Sequence, residues 1–378
     1  MRIGILSQTY YPIKGGVAEH VHATAEELRR RGHDVTIITA YFNRGDEEWS
    51  EGVVRVGRDL TIPFNGAFVN ITIGVRLKEQ LLKIQQKQQF DVLHVHNPMD
   101  PVLPLVAVLS LDIPKVATFH TYKPSSLAYA VMRRPMERRA NRALDVRIAV
   151  SEAAKSFFGK YFSGPWRIVP NGVNINRFRP DIAPLPQFQD GKKNILFVGR
   201  MDPRKGVSVL LDAFIRIADE EPDAQLIVVG GGILIHHYRR FVPVWLRGRV
   251  LFENYVSFAD LPRYFASADI CCFPASGRES FGIVLVEAMA AGKPIVATDI
   301  IGYRDVLENN VQGLLARPKS AASLAEKLKI LLGNRVLRER MGASGRKKAE
   351  TQYAWGSIVD RLEGYYAQAI SERASKHG

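Results

Sequence analysis

Cysteine is nearly missing from this sequence: Cys271 and Cys272 are the only two in 378 residues. Neighbouring residues of a strand point to opposite faces, so these thiols are not placed to bridge each other, and two cysteines alone do not build a zinc site. They read as buried core thiols of a reducing compartment. No run of about 20 apolar residues occurs, which excludes a membrane-spanning helix. The opening residues, MRIGILSQTYYP, carry too short an apolar run for a secretory signal and lead straight into turn formers. Gly-x-Gly-x-x-Gly is absent, and the triple glycine Gly230 to Gly232 after a strand is weak support for a dinucleotide site. No helix-turn-helix, zinc-finger or RNA-binding signature appears, so nucleic acid is not an expected partner in spite of the strong positive charge.

What is present is ample apolar material, 46% against 24% charged residues, in a chain long enough for two domains with separate cores. The net charge of +14 calls for an anionic partner, either a substrate or a membrane surface. From the start, short apolar strands alternate with helical segments: RIGILS, an amphipathic helix from Val17 to Gly32, HDVTIIT, a helix from Gln80 to Gln89, DVLHVH, then KVATF and DVRIAV. This alternation argues an α/β fold with a parallel, doubly wound sheet. Near Arg179 the composition shifts to RPDIAPLPQFQDGKKN, which reads as a linker and hinge. A second series follows: NILFV, a helix from Gly206 to Glu221, QLIVV, a helix from Asp260 to Ala268, and DICCF. The expected domains are 1–182 and 192–354, with ligand held between the carboxyl ends of their strands.

Chemistry concentrates in PASGRESFGIVLVEAMAAGKPIVATDIIG, Pro274 to Gly302. Small residues lead to Arg278, Glu279 and Ser280-Phe281-Gly282, after which Ile283 begins a run of helix formers ended by Gly292 and Pro294. A helix start offers unbonded N–H groups and a positive dipole end, a seat for phosphate. Glu279 before the helix and Glu287 two turns in suit sugar hydroxyls on either side of a diphosphate. The bland reading is an αβ unit with solvated glutamates. In VGRMDPRKG, Arg200 ends a strand and Lys205 precedes a helix, two cations suited to a diphosphate leaving group or, alone, a solvated basic loop. Gly15-Gly16 permits close approach of the backbone to a phosphate, although paired glycines are common in turns. His120 ends the strand in ATFHT, where a histidine is more often a structural hydrogen bonder. Tyr122 to Leu144 mixes apolar residues with Arg133, Arg134, Arg138, Arg139 and Arg142, as an interfacial membrane helix does. Its alternative is an ordinary surface helix, and Pro135 interrupts any long one. RRFVPVWLRGR, Arg239 to Arg249, either assists through Trp245 or simply packs.

Glutamate, seven residues, glutamate, with SFG after the first and EAMAAGKPIVA through the second, resembles the donor-binding signature of family 4 retaining glycosyltransferases. The resemblance implies the GT-B architecture over the full chain, with residues 355–378 as a last helix returning to the first domain. It puts Arg200 and Lys205 on the donor diphosphate. It also implies that the Gly15-Gly16 loop closes over that diphosphate, that His120 contacts the donor sugar, and that Glu279, Ser280, Phe281, Gly282, Ile283 and Glu287 bind the donor. Asp-x-Asp, the divalent-metal motif of the other main glycosyltransferase fold, is absent. The implied mechanism needs no metal and no cofactor beyond the nucleotide sugar, and it retains configuration by front-face attack.

Within the family, IPFNGAFVN, FHTYKPSSL and GRESFGIVLVEAMAAG look like the phosphatidylinositol mannosyltransferases. This implies transfer of mannose from GDP-mannose to the inositol of an anionic lipid by a cytoplasmic protein peripheral to the inner face of the cell membrane, with Tyr10, Phe64 and Asn65 on the acceptor. Three departures stand out. Phe64 replaces a tyrosine, Asn70 replaces an arginine, and YVSFADL does not reproduce the residues that read guanine. A UDP-sugar transferase acting on another lipid or small acceptor is the alternative. The sequence does not give the oligomeric state.

Overall fold

Strand and helix alternate because short, fully apolar strands need cover on both faces, and helices between parallel strands supply it. In the computed structural model, residues 1–13, 15–42, 49–64, 67–122 and 139–377 are described, with the side chains of 61–69 and 377 excepted. The chain divides into two compact units, Met1–Asn171 with Trp355–Gly378, and Gly172–Ala354.

The first unit holds an eight-stranded sheet ordered β4-β3-β2-β1-β5-β6-β7-β8. Its strands are β1 (Arg2–Leu6), β2 (Asp34–Tyr41), β3 (Val53–Phe64), β4 (Ala67–Ile73), β5 (Val92–His96), β6 (Lys115–Phe119), β7 (Val146–Ala149) and β8 (Arg167–Ile168). All pairings are parallel except β3 with β4, an antiparallel hairpin that the alternating pattern does not announce. The second unit holds a six-stranded, all-parallel sheet ordered β11-β10-β9-β12-β13-β14. Here β9 is Lys193–Val198, β10 Ala224–Val229, β11 Val250–Glu253, β12 Ile270–Phe273, β13 Ile295–Thr298 and β14 Gly313–Ala316. That order is the doubly wound 3-2-1-4-5-6, and the direction of winding reverses between β9 and β12.

Composition puts the first domain boundary at residue 182, but the structure assigns residues 172–182 to the second unit. Arg346 explains the difference: its Nη1 donates to the carbonyls of Ile175, Phe178 and Ala290. Phe178 is buried with its ring 5.4 Å from that of Phe265. The proline-rich stretch is pinned further on, where the Leu185 N–H donates to Ser267 Oγ at 2.8 Å and Phe188 is buried.

The last helix, Trp355–His377, packs into the first unit through Ile358, Val359, Leu362, Tyr366 and Ala369, which join Ile3, Val21 and Ile148 in one core. Polar ties fix its register. Arg31 Nη1 reaches Asp360 and Glu363, each at 2.6 Å, and the buried Asp145 carboxylate meets Arg373 and Lys376. Cys271 and Cys272 are buried free thiols, and burial pushes both up, Cys271 to about 12. Among the described residues, no helix is long and apolar enough to cross a membrane.

Candidate active site

The loops that follow β9 and β12 leave neighbouring strands on either side of the winding reversal, where open α/β sheets bind ligands. The β9 loop carries Arg200, exposed just past the strand end, and then a single turn of 3-10 helix, Pro203–Lys205. Asp202 caps this turn by accepting from the Arg204 N–H at 2.9 Å, and its carboxylate also takes the Arg204 guanidinium. That bond holds the Asp202 carboxyl down at about 2. Arg204 is thus committed to its own loop, and Lys205 is the cation that reaches across. Its Nζ lies 2.9 Å from Glu279 Oε1, with both side chains about four-fifths covered (21% and 17% exposed).

A main-chain bond joins the two loops, Ser276 N–H donating to the Arg204 carbonyl at 2.8 Å, and the Thr298 side chain at the end of β13 braces the second by donating through Oγ1 to the Ala275 carbonyl at 2.5 Å. Gly206 turns with φ +75°, and a Cβ there would stand 2.0 Å from the Pro274 carbonyl oxygen. Gly302 plays the same part under Glu279, since a Cβ there would stand 2.0 Å from the Glu279 carbonyl oxygen. Only glycine lets these backbones approach so closely. Tyr303 next to it is fully buried, and its hydroxyl is pushed well up by burial and by the nearby Glu279 charge.

The Ile283–Ala290 helix starts at Gly282 without a side-chain cap, three residues after Glu279, and an uncapped helix start offers N–H groups to an anion. Glu287 is half-buried on this helix. Phe281 differs from its neighbours: its side chain is buried, 5.8 Å from the Tyr353 ring, so only its main chain is left for a ligand. The second unit therefore brings Arg200, Lys205, Glu279, Ser280, Gly282 and Ile283 onto two braced loops and one helix start.

In the first unit, Gly15 precedes the Gly16–Arg30 helix with no side-chain cap, and both glycines are exposed. A Cβ on Gly15 would meet nothing within 4 Å, so the fold itself does not require glycine there. His120 follows β6 and is buried in a cluster that sequence reading did not assemble. His96 Nδ1 lies 2.8 Å from His120 Nε2, and His20 packs edge-on to both rings. His20 Nδ1 lies 2.9 Å from Asn171 Oδ1. His94 stacks beside His96 and bridges the Tyr366 hydroxyl and Thr118 Oγ1. Burial lowers all four imidazoles, His20 to about 4 and His94 to about 3. Among the described residues, His20, His96 and His120 are the three side chains whose donor atoms could surround a metal, lying within 4.8 Å of one another. They offer no carboxylate to offset a dication, and His96 and His120 are already engaged with each other.

The acceptor-side residues fare differently. Tyr10 is buried and its hydroxyl lies 3.0 Å from His22 Nδ1, with burial pushing it up to about 12. That hydroxyl is spent inside the first unit and is not presented to a substrate. The Phe64 side chain, Asn65, Arg133, Arg134 and Arg138 lie outside the described residues. Arg139 and Arg142 are exposed on residues 139–143, a short helical stretch.

A doubly wound sheet in each unit, all parallel in the second and parallel but for the β3–β4 hairpin in the first, is the architecture of the GT-B glycosyltransferases. The chain belongs to the family 4 glycosyltransferases. The model of Glycosyltransferase Family 4 matches residues 14–177, and that of Glycosyl transferases group 1 matches residues 179–348. A phosphatidyl-myo-inositol mannosyltransferase of Mycobacterium leprae is 36% identical over 379 residues, covering 100% of this chain and 99% of its own. Among solved structures, a glycosyltransferase from Rickettsia africae superposes with a TM-score of 0.80 at 17% identity, covering 97% of this chain and 98% of its own. Anabaena HepE, solved in complex with UDP and glucose, gives a TM-score of 0.76 at 21% identity, with 97% and 99% covered. The enzyme class and the fold expected from sequence are those found.

Proposed function

We propose that this glycosyltransferase moves mannose from GDP-mannose to the inositol of phosphatidylinositol, with retention of configuration and without a metal. The observation that carries the reading is the Lys205–Glu279 pair at 2.9 Å, set between an exposed arginine and an open helix start. The full-length similarity to a phosphatidyl-myo-inositol mannosyltransferase supports the choice of donor sugar and lipid.

Lys205, Arg200 and the first N–H groups of the Ile283–Ala290 helix receive the donor diphosphate. Charge builds on the β-phosphate as the bond from C1 to its oxygen breaks, and preorganised cations stabilise it most at that moment. Glu279 accepts hydrogen bonds from sugar hydroxyls, and pairing with Lys205 holds its carboxylate in place. His120, neutral because it is buried, is assigned to positioning the sugar rather than to moving a proton. The inositol hydroxyl attacks C1 from the face the phosphate leaves, and its proton passes to the departing phosphate oxygen.

A thermal-shift panel without metal tests the donor. GDP and GDP-mannose are expected to raise the unfolding midpoint, because a ligand present at about 100 times its Kd stabilises the native state by about 2.7 kcal/mol. UDP, ADP and their sugars should leave it unmoved. A selective response to uridine nucleotides would transfer the reading to a UDP-sugar donor.

A further inference from the structure

The transfer chemistry leaves one surface of the second unit unused. From Ala224 to Phe252 the sequence contains no aspartate or glutamate, yet arginines stand at 239, 240, 247 and 249. Arg249 works inward, donating to the carbonyls of Ala218, Glu221 and Ala224. Arg239 lies over the Phe252 ring and donates to its carbonyl at 3.3 Å. Arg240 and Arg247 are exposed, and among the described residues neither has an acidic partner. Between them, Phe241, Val244 and Trp245 are 45%, 74% and 57% exposed.

These apolar side chains do not sit on a loose loop. Ile235, Tyr238, Val242 and Leu246 of the same segment are buried in the core of the second unit. The Ile235–Phe241 helix and the Val244–Leu246 turn are thereby seated with their outward faces fixed. A soluble protein rarely keeps two large aromatics and a valine together in water without a use for them. An exposed apolar cluster with an arginine at each end and no carboxylate matches the interface of an anionic bilayer, with apolar tips below the headgroups and guanidiniums at the phosphates.

We propose that Arg240, Phe241, Val244, Trp245 and Arg247 dock the second unit on an anionic lipid bilayer. The proposal rests on the lipid-acceptor reading for its purpose, while its geometry stands without it. It places membrane contact at a site separate from the basic stretch Arg133 to Arg142.

Co-sedimentation of the full chain with phosphatidylcholine vesicles, with and without phosphatidylglycerol, tests it. The protein is expected to bind the anionic vesicles, and to bind less as salt screens the charges. Arg240→Ser with Arg247→Ser should weaken binding roughly 30-fold, at about 1 kcal/mol per arginine. Phe241→Ser with Trp245→Ser should also release the protein, although its charge is unchanged. All four side chains are exposed, and an unchanged nucleotide-induced thermal shift would confirm that the variants are folded. Arg139→Ser with Arg142→Ser serves as the control. Binding that survives both surface variants, or no vesicle binding by the wild type, would overturn the proposal. So would stronger binding to short RNA than to vesicles that is lost in the same variants. Vesicle binding lost in the variants, together with no transfer to phosphatidylinositol by the wild type, would count against the acceptor reading and leave this surface in place.

Discussion

Glu279→Ala is expected to cut transfer by about 10²–10³-fold, the loss seen when a preorganised polar group at a reacting centre is removed. The protein should stay folded, for two reasons. The close approach of the Glu279 carbonyl to Gly302 is made by main chain and does not involve the glutamate side chain. The ion pair with Lys205 keeps about a fifth of each side chain in water, so Lys205 retains some solvation when its partner is removed. Glu279→Gln separates charge from shape: it keeps a hydrogen-bonding oxygen for the sugar but leaves Lys205 without a counter-charge. If the carboxylate orients the sugar, the glutamine variant should retain more activity than alanine and lose it mainly in kcat. Steady-state kinetics beside a melting curve measure both effects. An alanine variant with wild-type kcat/KM would remove Glu279 from the site.

The second large effect is acid instability of the first unit. His20, His94, His96 and His120 are buried and neutral, all with folded values below the unfolded 6.5. The unfolded chain therefore takes up protons on acidification before the folded one does, and stability falls as pH drops below about 6.5. His20 alone, lowered from 6.5 to about 4, represents about 3 kcal/mol at 1.36 kcal/mol per unit. That is a large part of the 5–15 kcal/mol typical of a domain, as an order of magnitude. The carboxylates act in a lower window: Asp202, held at about 2, gives up its contribution only as pH falls from 3.8 towards that value. Amide exchange in Val92–His96 and Lys115–Phe119 should accelerate steeply from pH 6.5 to 4 once intrinsic rates are divided out. His94→Gln should flatten that slope, since an amide makes hydrogen bonds to Tyr366 and Thr118 without titrating. Exchange that stays flat to pH 4 would contradict the account.

The doubly wound sheets were legible because most of their strands are short apolar runs separated by helical segments, whereas the β3–β4 hairpin, with Arg55, Arg58 and Asp59 in β3, does not follow that pattern. The two loops that bring Lys205 and Glu279 together were legible as candidates too, because Gly199 to Gly206 and Ser276 to Gly292 are local in sequence and dense in turn formers and charges. What escaped was non-local or made of main chain. The histidine cluster joins residues 20, 94, 96 and 120, and no local spacing signals that they meet. Gly206 and Gly302 read as punctuation until the carbonyls of Pro274 and Glu279 are seen against them. Tyr10 and Phe281 are aromatic residues in turn-rich loops, so their burial could not be read from position. The boundary near residue 182 was misplaced because proline content signals a linker, whereas Arg346 and Phe265, far along the chain, hold that stretch to the second unit.

The measurement closest to the central claim is transfer itself: purified protein, GDP-mannose labelled in the sugar, and vesicles containing phosphatidylinositol, with chelator present. The account predicts label in a phosphatidylinositol mannoside of retained anomeric configuration, at a rate the chelator leaves unchanged. Labelled mannose remaining in the nucleotide, while a UDP-sugar is consumed in its place, would contradict it.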